Sequence, residues 1–141
     1  MQAEDFMKVA IAEAKLGDAP YGAVIVKDNK IVAQAHNTVK TDSDPTAHAE
    51  VNVIRSLTKK LKNPSLEGYT LYASCEPCPM CTAVCIWAGI SEIIIGASIK
   101  DLIEAGVSQI DIASEEIIDK GFKKIKITKG LLKEESLQLF K

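Results

Sequence analysis

Two short segments some thirty residues apart constrain this chain more than anything else in it: His48-Ala49-Glu50 and Pro77-Cys78-Pro79-Met80-Cys81. His48, Cys78 and Cys81 are all metal-ligand types, and a catalytic zinc takes three protein ligands with its fourth position left to water. Glu50 then has no ligand position to fill and is free to carry protons. A fold that satisfies this pattern must bring the histidine segment against the cysteine pair. All four cysteines lie between Cys75 and Cys85, too close together to cross-link distant parts of a fold, so metal binding is a better reading than a disulfide framework.

The rest of the chain supplies a scaffold for such a site. With 141 residues, 47% of them apolar, it fits a single domain spanning residues 1–141 and can bury a core of its own. A formal net charge of −2 and a pI near 5.7 provide no global basic field, so nucleic acid is not the partner that charge favours. The longest apolar run is interrupted at Ser91-Glu92, short of the roughly 18 residues a membrane span needs, and Met1 to Lys15 alternates charged with apolar residues instead of forming a signal-peptide core. The expectation is a cytosolic protein with no membrane partner.

Periodicity orders the elements. Phe6, Val9, Ala10 and Leu16 recur at helical spacing behind Glu4 and Asp5, with Gly17 and Pro20 as stop signals. Tyr21 to Val26 and Ile31 to Ala35 flank Asp28-Asn29 and read as a hairpin. Asp44-Pro45 reads as a cap residue followed by proline at the first helical position, which puts His48 and Glu50 in the first turns of a second helix. Gly68 to Ala73 is the expected third strand, and Pro77 to Trp87 a helix with Cys78 and Cys81 in its first turn. The continuous apolar run of Glu92 to Ala97 suits a strand covered on both faces, and Lys123 to Thr128 a fifth strand. Ser114-Glu115-Glu116 begins a short helix and Leu131 to Leu139 forms a terminal one, so helices pack around one mixed sheet with parallel pairing in its second half.

Placing both halves of the metal motif at helix N-termini has a physical logic, because exposed backbone N–H groups and the helix dipole favour the thiolate form there. Residues three apart share a helix face, so Cys78 and Cys81 can hold one ion, whereas Glu50, two residues from His48, points elsewhere. Two thiolates cancel most of the zinc charge, which weakens its acidification of water and makes a nearby base more necessary. The competing pattern is Cys75-x2-Cys78-x2-Cys81-x3-Cys85, the spacing of an iron–sulfur run. Against it, Ile86 stands where a proline is expected, and His48 and Glu50 would have no work. A closed structural zinc site would need Cys75 as its fourth ligand. Otherwise Cys75 and Cys85 are buried small hydrophobes.

The segments Asp44-Pro45-Thr46-Ala47-His48-Ala49-Glu50-Val51 and Ser74-Cys75-Glu76-Pro77-Cys78-Pro79-Met80-Cys81 resemble the cytidine deaminase-like superfamily, and within it the bacterial guanine deaminases most. Pro20 to Val26, Trp87-Ala88 and Glu104-Ala105-Gly106 are similar to further family segments, so the likeness covers most of the chain. The resemblance implies an α/β/α three-layer sandwich with a five-stranded mixed sheet, one Zn2+ on His48, Cys78 and Cys81, and Glu50 as the proton shuttle. The implied reaction is hydrolytic deamination of a nucleobase or nucleoside, guanine or a related purine, with release of ammonia, in a homodimer. Residue by residue, the match also assigns Asn37, Tyr21 and Trp87 to the substrate pocket. Asn37 offers an amide to a purine edge, and the two aromatics offer stacking surfaces.

Two departures from that subgroup stand out. Val107-Ser108-Gln109 replaces the acidic residues that guanine deaminases carry after Glu-Ala-Gly, and the chain ends at Phe140-Lys141 without their aromatic tail, which leaves room for a ribose or a different ring. Deamination of the tRNA wobble adenosine is the main alternative. Charge opposes it, and so do an absent arginine near Gly89 and an incomplete Asp-x-Lys-x-Gly segment near Ser98 to Leu102. Cytosine or cytidine deamination would use the same constellation. A reading from another class, a non-catalytic zinc module that binds a partner, would require an inactive site, yet every catalytic residue type is present.

Overall fold

The computed structural model describes all residues from Met1 to Lys141. Its elements run α1 (Ala3–Ala14), β1 (Gly22–Lys27), β2 (Lys30–His36), α2 (Val39–Asp42), α3 (Ala49–Leu61), β3 (Thr70–Cys75), α4 (Pro79–Ala88), β4 (Glu92–Ala97), α5 (Ile99–Glu104), α6 (Ser114–Lys120), β5 (Lys126–Thr128) and α7 (Lys133–Gln138). The five strands form one mixed sheet in the order β2-β1-β3-β4-β5. β1 pairs antiparallel with β2 and β3, whereas β3, β4 and β5 run parallel, as expected of strands joined by helical crossovers.

Strand alternation decides which face each helix covers. On one side Ala23, Ile25, Leu71, Ala73, Ile93 and Ile95 pack against Val53, Ile54 and Leu57 of α3, Cys85 and Ile86 of α4, and Ile118 of α6. On the other, Val24, Val26 and Tyr72 meet Phe6, Met7, Ala10 and Ile11 of α1, with Leu131, Leu132 and Leu139 at the margin. The result is the expected three-layer α/β/α sandwich. Each fully buried Ile or Leu contributes roughly 1.5–3 kcal/mol, so these two faces supply most of the drive to fold. α1 approaches β1 at Gly22, where a Cβ would lie 2.0 Å from the Ala10 carbonyl oxygen. Only glycine permits that contact.

Several element boundaries differ from those the sequence suggests. α1 ends at Ala14, and Leu16 lies beyond it with its side chain largely in solvent. Asp44-Pro45 does not start α3. Asp44 Oδ1 accepts bonds from both the Thr46 N–H (2.8 Å) and the Thr46 hydroxyl (2.7 Å), closing a local turn that competes with helix formation. The helix begins at Ala49 with extended His48 (φ −72°, ψ 158°) as its N-cap. Likewise Cys78 (φ −64°, ψ 170°) is the N-cap of α4 and Pro79 its first helical residue. Proline belongs at that position because its missing N–H would be unpaired anyway. The hairpin is as expected: Asp28 and Asn29 both have positive φ, the backbone of a tight primed turn.

Candidate metal and substrate site

The two N-caps set the metal geometry. His48 leads α3 and Cys78 leads α4, both helices lie on the same face of the sheet, and their first residues converge beyond the strand ends. His48 Nδ1 lies 3.7 Å from Cys78 Sγ and 3.5 Å from Cys81 Sγ, with all three ligand atoms within 4.8 Å of one another. A tetrahedral zinc with bonds of about 2.3 Å to sulfur and about 2.0 Å to nitrogen separates those donors by roughly 3.5 Å. The cluster therefore fits zinc without rearrangement, through Nδ1 of the histidine. Cys78 at the N-cap and Cys81 three residues later reach the same point, as their spacing requires.

Cys75 and Cys85 take no part. Cys85 is fully buried in the main core, and Cys75 packs against Ala97 and Leu102, where burial pushes its thiol up to about 12. An iron–sulfur cluster and a closed four-ligand zinc site both fail on this placement. Three ligands leave an open fourth position, the arrangement of a reactive zinc.

The metal-free cluster is a set of coupled protons. The hydrogen bond from Cys81 holds Cys78 well below the usual thiol range despite burial, with His48 adding to it, and the same bond raises Cys81. The hydrogen bond to Cys78 raises His48. A metal ion must displace the proton on Cys81 to use both sulfurs.

A cavity of about 300 Å³ opens onto this cluster. Tyr21, Asn37, His48, Glu50, Glu76, Cys78, Ser108, Gln109 and Ile110 line it. Glu50, the second residue of α3, is only 6% exposed, and burial pushes its carboxyl up to about 7, partly offset by its own backbone N–H. It is a carboxyl able to exchange a proton near neutral pH beside three metal ligands. Asn37 is buried at the same wall. Its Oδ1 accepts the Val39 N–H (3.1 Å), which fixes the amide, while Nδ2 remains a donor and Oδ1 keeps a second lone pair. Tyr21 accepts a bond from Gln109 Nε2 (2.9 Å) and packs edge-on to Phe140, with ring centroids 5.4 Å apart. Burial pushes its hydroxyl up to about 12, so it stays protonated and can donate.

Trp87 is elsewhere, and its assignment to the pocket is corrected. Six residues beyond Cys81 on α4, it is turned by roughly 240° and displaced about 9 Å along the axis. Its ring is 77% exposed and meets Phe122 at 5.0 Å on the outer surface. Sequence reasoning missed Glu76 and Ile110 as cavity residues, and it singled out Ser108 and Gln109 only as standing where related enzymes carry acidic residues, with no contact given to Gln109. Glu76 carried a signal, as an acidic residue between buried strand and cysteine turn, whereas the other three lie in an irregular segment without periodicity. A larger depression of about 570 Å³ between α1 and α7, lined by Lys8, Ile11, Lys15 and Leu132 among others, holds no cluster of metal-ligand residues and lies on the opposite face of the sheet.

No helix is long and apolar enough to cross a membrane. Comparison with known proteins agrees with the site. Residues 1–97 match the family model described as the cytidine and deoxycytidylate deaminase zinc-binding region. Guanine deaminase of Bacillus subtilis is 44% identical over 125 residues, covering 85% of this chain and 79% of that protein. A tRNA-specific adenosine deaminase of Buchnera aphidicola is 40% identical over 138 residues, covering 95% of this chain and 83% of its own length. Among solved structures, one from a study of A-to-I editing by tRNA:A34 deaminases superposes with a TM-score of 0.82 at 31% identity, covering 96% of this chain and 98% of its own. With the three zinc ligands inside the matched residues and relatives aligned over most of its length, this chain belongs to the cytidine and deoxycytidylate deaminase family of zinc-binding enzymes.

Proposed function

We propose that the chain hydrolyses the amino group of a free purine base, guanine or a close relative, to a carbonyl with release of ammonia. The observation that carries this reading is Glu50: a buried carboxyl, tuned toward neutrality, in the same cavity as His48 and Cys78. His48, Cys78 and Cys81 would hold a zinc ion, which when bound would lower the pKa of a water in the open position. Glu50 accepts a proton from the attacking water and delivers it to the ring nitrogen beside the amino-bearing carbon. It then takes the remaining proton of the newly added hydroxyl and passes it to the leaving nitrogen; the C–N bond breaks as the carbonyl forms, so one water is consumed and one ammonia formed. Asn37 Nδ2 orients the ring by donating to an acceptor on its edge, and the Tyr21 ring borders the cavity as a flat apolar wall. The reading includes a homodimer, for which the exposed Trp87–Phe122 pair is a candidate contact face.

A second reading, deamination of a tRNA wobble adenosine, is favoured by the Buchnera relative, which aligns over 95% of this chain. Ammonia release from zinc-loaded protein, measured across guanine, guanosine, adenine, adenosine, cytosine, cytidine and an anticodon stem-loop, separates the two. Turnover of a free purine is the expected outcome; turnover of the stem-loop alone would replace it with the second reading. Silence across the panel with zinc bound would favour a non-catalytic module.

A further inference from the structure

Glu76 precedes the cysteine turn by two residues and is 4% exposed, yet it ligates nothing in the metal cluster. Its two oxygens are engaged by three separate elements. Oε1 accepts the backbone N–H of Ile99 (2.9 Å), the first residue of α5, and Oε2 accepts that of Ser114 (2.6 Å), the first residue of α6. Lys129, just after β5, donates to Oε2 at 3.1 Å and pairs with Glu115 of α6 at 2.7 Å. A second set of bonds ties the same helix to the cysteine turn. The hydroxyls of Ser114 and Thr82 both donate to the Pro77 carbonyl at 3.1 Å and lie 3.0 Å from each other. Pro77 is the residue before Cys78.

The segment between α5 and α6 contains Ser108, Gln109 and Ile110, a wall of the cavity that the metal ligands also line. Both helices that bracket this wall therefore begin on one carboxylate, and Gln109 is tied to Tyr21 from the other side. We propose that Glu76 is a positioning residue that holds the metal-binding cysteine turn and the substrate-facing wall in one register. Its effect on zinc stands on the geometry alone, and its effect on substrate binding rests on the proposed function. Charge matters as well as shape. Two backbone donors and an ammonium converge on the group, so an amide would turn an NH₂ toward at least one donor.

The test is Glu76→Gln in the full chain. Chelator-driven zinc loss should accelerate by about 10- to 100-fold, the range for outer partners of metal ligands, and the ligand-field bands of the cobalt-substituted protein should shift. KM for the purine substrate should rise more than kcat falls. A folded Glu76→Gln protein with wild-type zinc loss and cobalt spectrum would overturn the proposal, and faster zinc loss with unchanged KM would overturn its substrate half. Should that variant not fold, Ser114→Ala keeps the carboxylate and removes only the hydroxyl on Pro77. It should speed zinc loss by a smaller factor, and no change there would likewise overturn the proposal. The zinc and cobalt readings need no substrate, so absence of purine turnover would count against the proposed function alone.

Discussion

Four helix N-termini converge on the metal cluster and on Glu76 beside it, and they divide into two kinds. α5 and α6 are closed by carboxylates. In α5 Ser98 Oγ accepts the Asp101 N–H while Asp101 Oδ2 accepts the Ser98 N–H, both at 3.0 Å; in α6 Glu116 accepts the Ala113 N–H at 3.0 Å. Glu76 takes the next N–H of each helix. α3 and α4 begin instead with His48 and Cys78, and neither side chain caps its helix. An uncapped N-terminus retains its partial positive charge, which favours thiolates and whatever anionic species the site handles. The difference teaches that capping residues and ligand residues compete for the same backbone position. This chain gives that position to chemistry in the two helices that hold the metal and to stability in the two that hold the wall.

The comparison can be broken most directly at Glu50. Glu50→Gln should lower turnover by about 10²- to 10⁴-fold while zinc content stays at the wild-type level, read by ammonia release and metal analysis on the same sample. Stability should move the other way. The folded-state pKa of Glu50 is raised, so its contribution is fully present below the usual carboxylate range and lost as pH rises through about 7. Metal-free Glu50→Gln should therefore melt higher than metal-free wild type at pH 8, with the advantage gone near pH 4; a lower melting point at pH 8 would mark Glu50 as a structural group.

Cys78→Ser should reduce zinc affinity by more than the ~10- to 100-fold expected for an outer partner, and activity should fall with it. Unchanged metal stoichiometry would sink the ligand assignment. A separate effect on zinc affinity comes from protons. Zinc needs its ligands deprotonated, and Cys81 and His48 both hold their protons more tightly in the metal-free chain. Apparent zinc affinity should then fall by about tenfold per unit of pH lowered for each proton displaced, measured by competition titration between pH 8 and pH 6. An affinity independent of pH would mean that the sulfurs are already free of protons.

The smallest expected change is at a closed helix start. Ser98→Ala should cost about 1 kcal/mol of stability, seen in chemical denaturation, with zinc affinity within twofold of wild type. A large loss of zinc from this variant would mean that the two kinds of N-terminus are not energetically separate.

The metal cluster is legible in the amino-acid sequence because ligand chemistry is local. His48, Cys78 and Cys81 are recognisable by type and spacing, and Glu50 by being the carboxylate left over. The three-layer sandwich and the parallel half of the sheet are legible for a related reason: alternation along β1 and the unbroken Ile93-Ile94-Ile95 run record which faces are buried. Boundaries are less so. The Asp44 turn displaces the start of α3 by several residues, because a side-chain bond to Thr46 outcompetes a helical first turn and no periodicity marks that contest. The short helix α2 leaves no periodic mark in the sequence, and α5 leaves only the Ser98-x-x-Asp101 box at its start, each too brief for an apolar pattern to register.

What the chain alone determined is the reaction class. The atoms placed to bind the ion lie within two short stretches, and their ligand chemistry is set by residue type and spacing. What only the tertiary structure decided is the surroundings of that chemistry. It removed Trp87 from the pocket, turned Asn37 Oδ1 to the backbone, and brought Gln109 to Tyr21 across 88 residues. The wall of Ser108, Gln109 and Ile110 also falls beyond residue 97, where the family match ends. The physical reason is the same in each case: a ligand is identified by what it is, whereas a pocket is made by what its residues stand next to, and that depends on long-range contacts that no local pattern encodes.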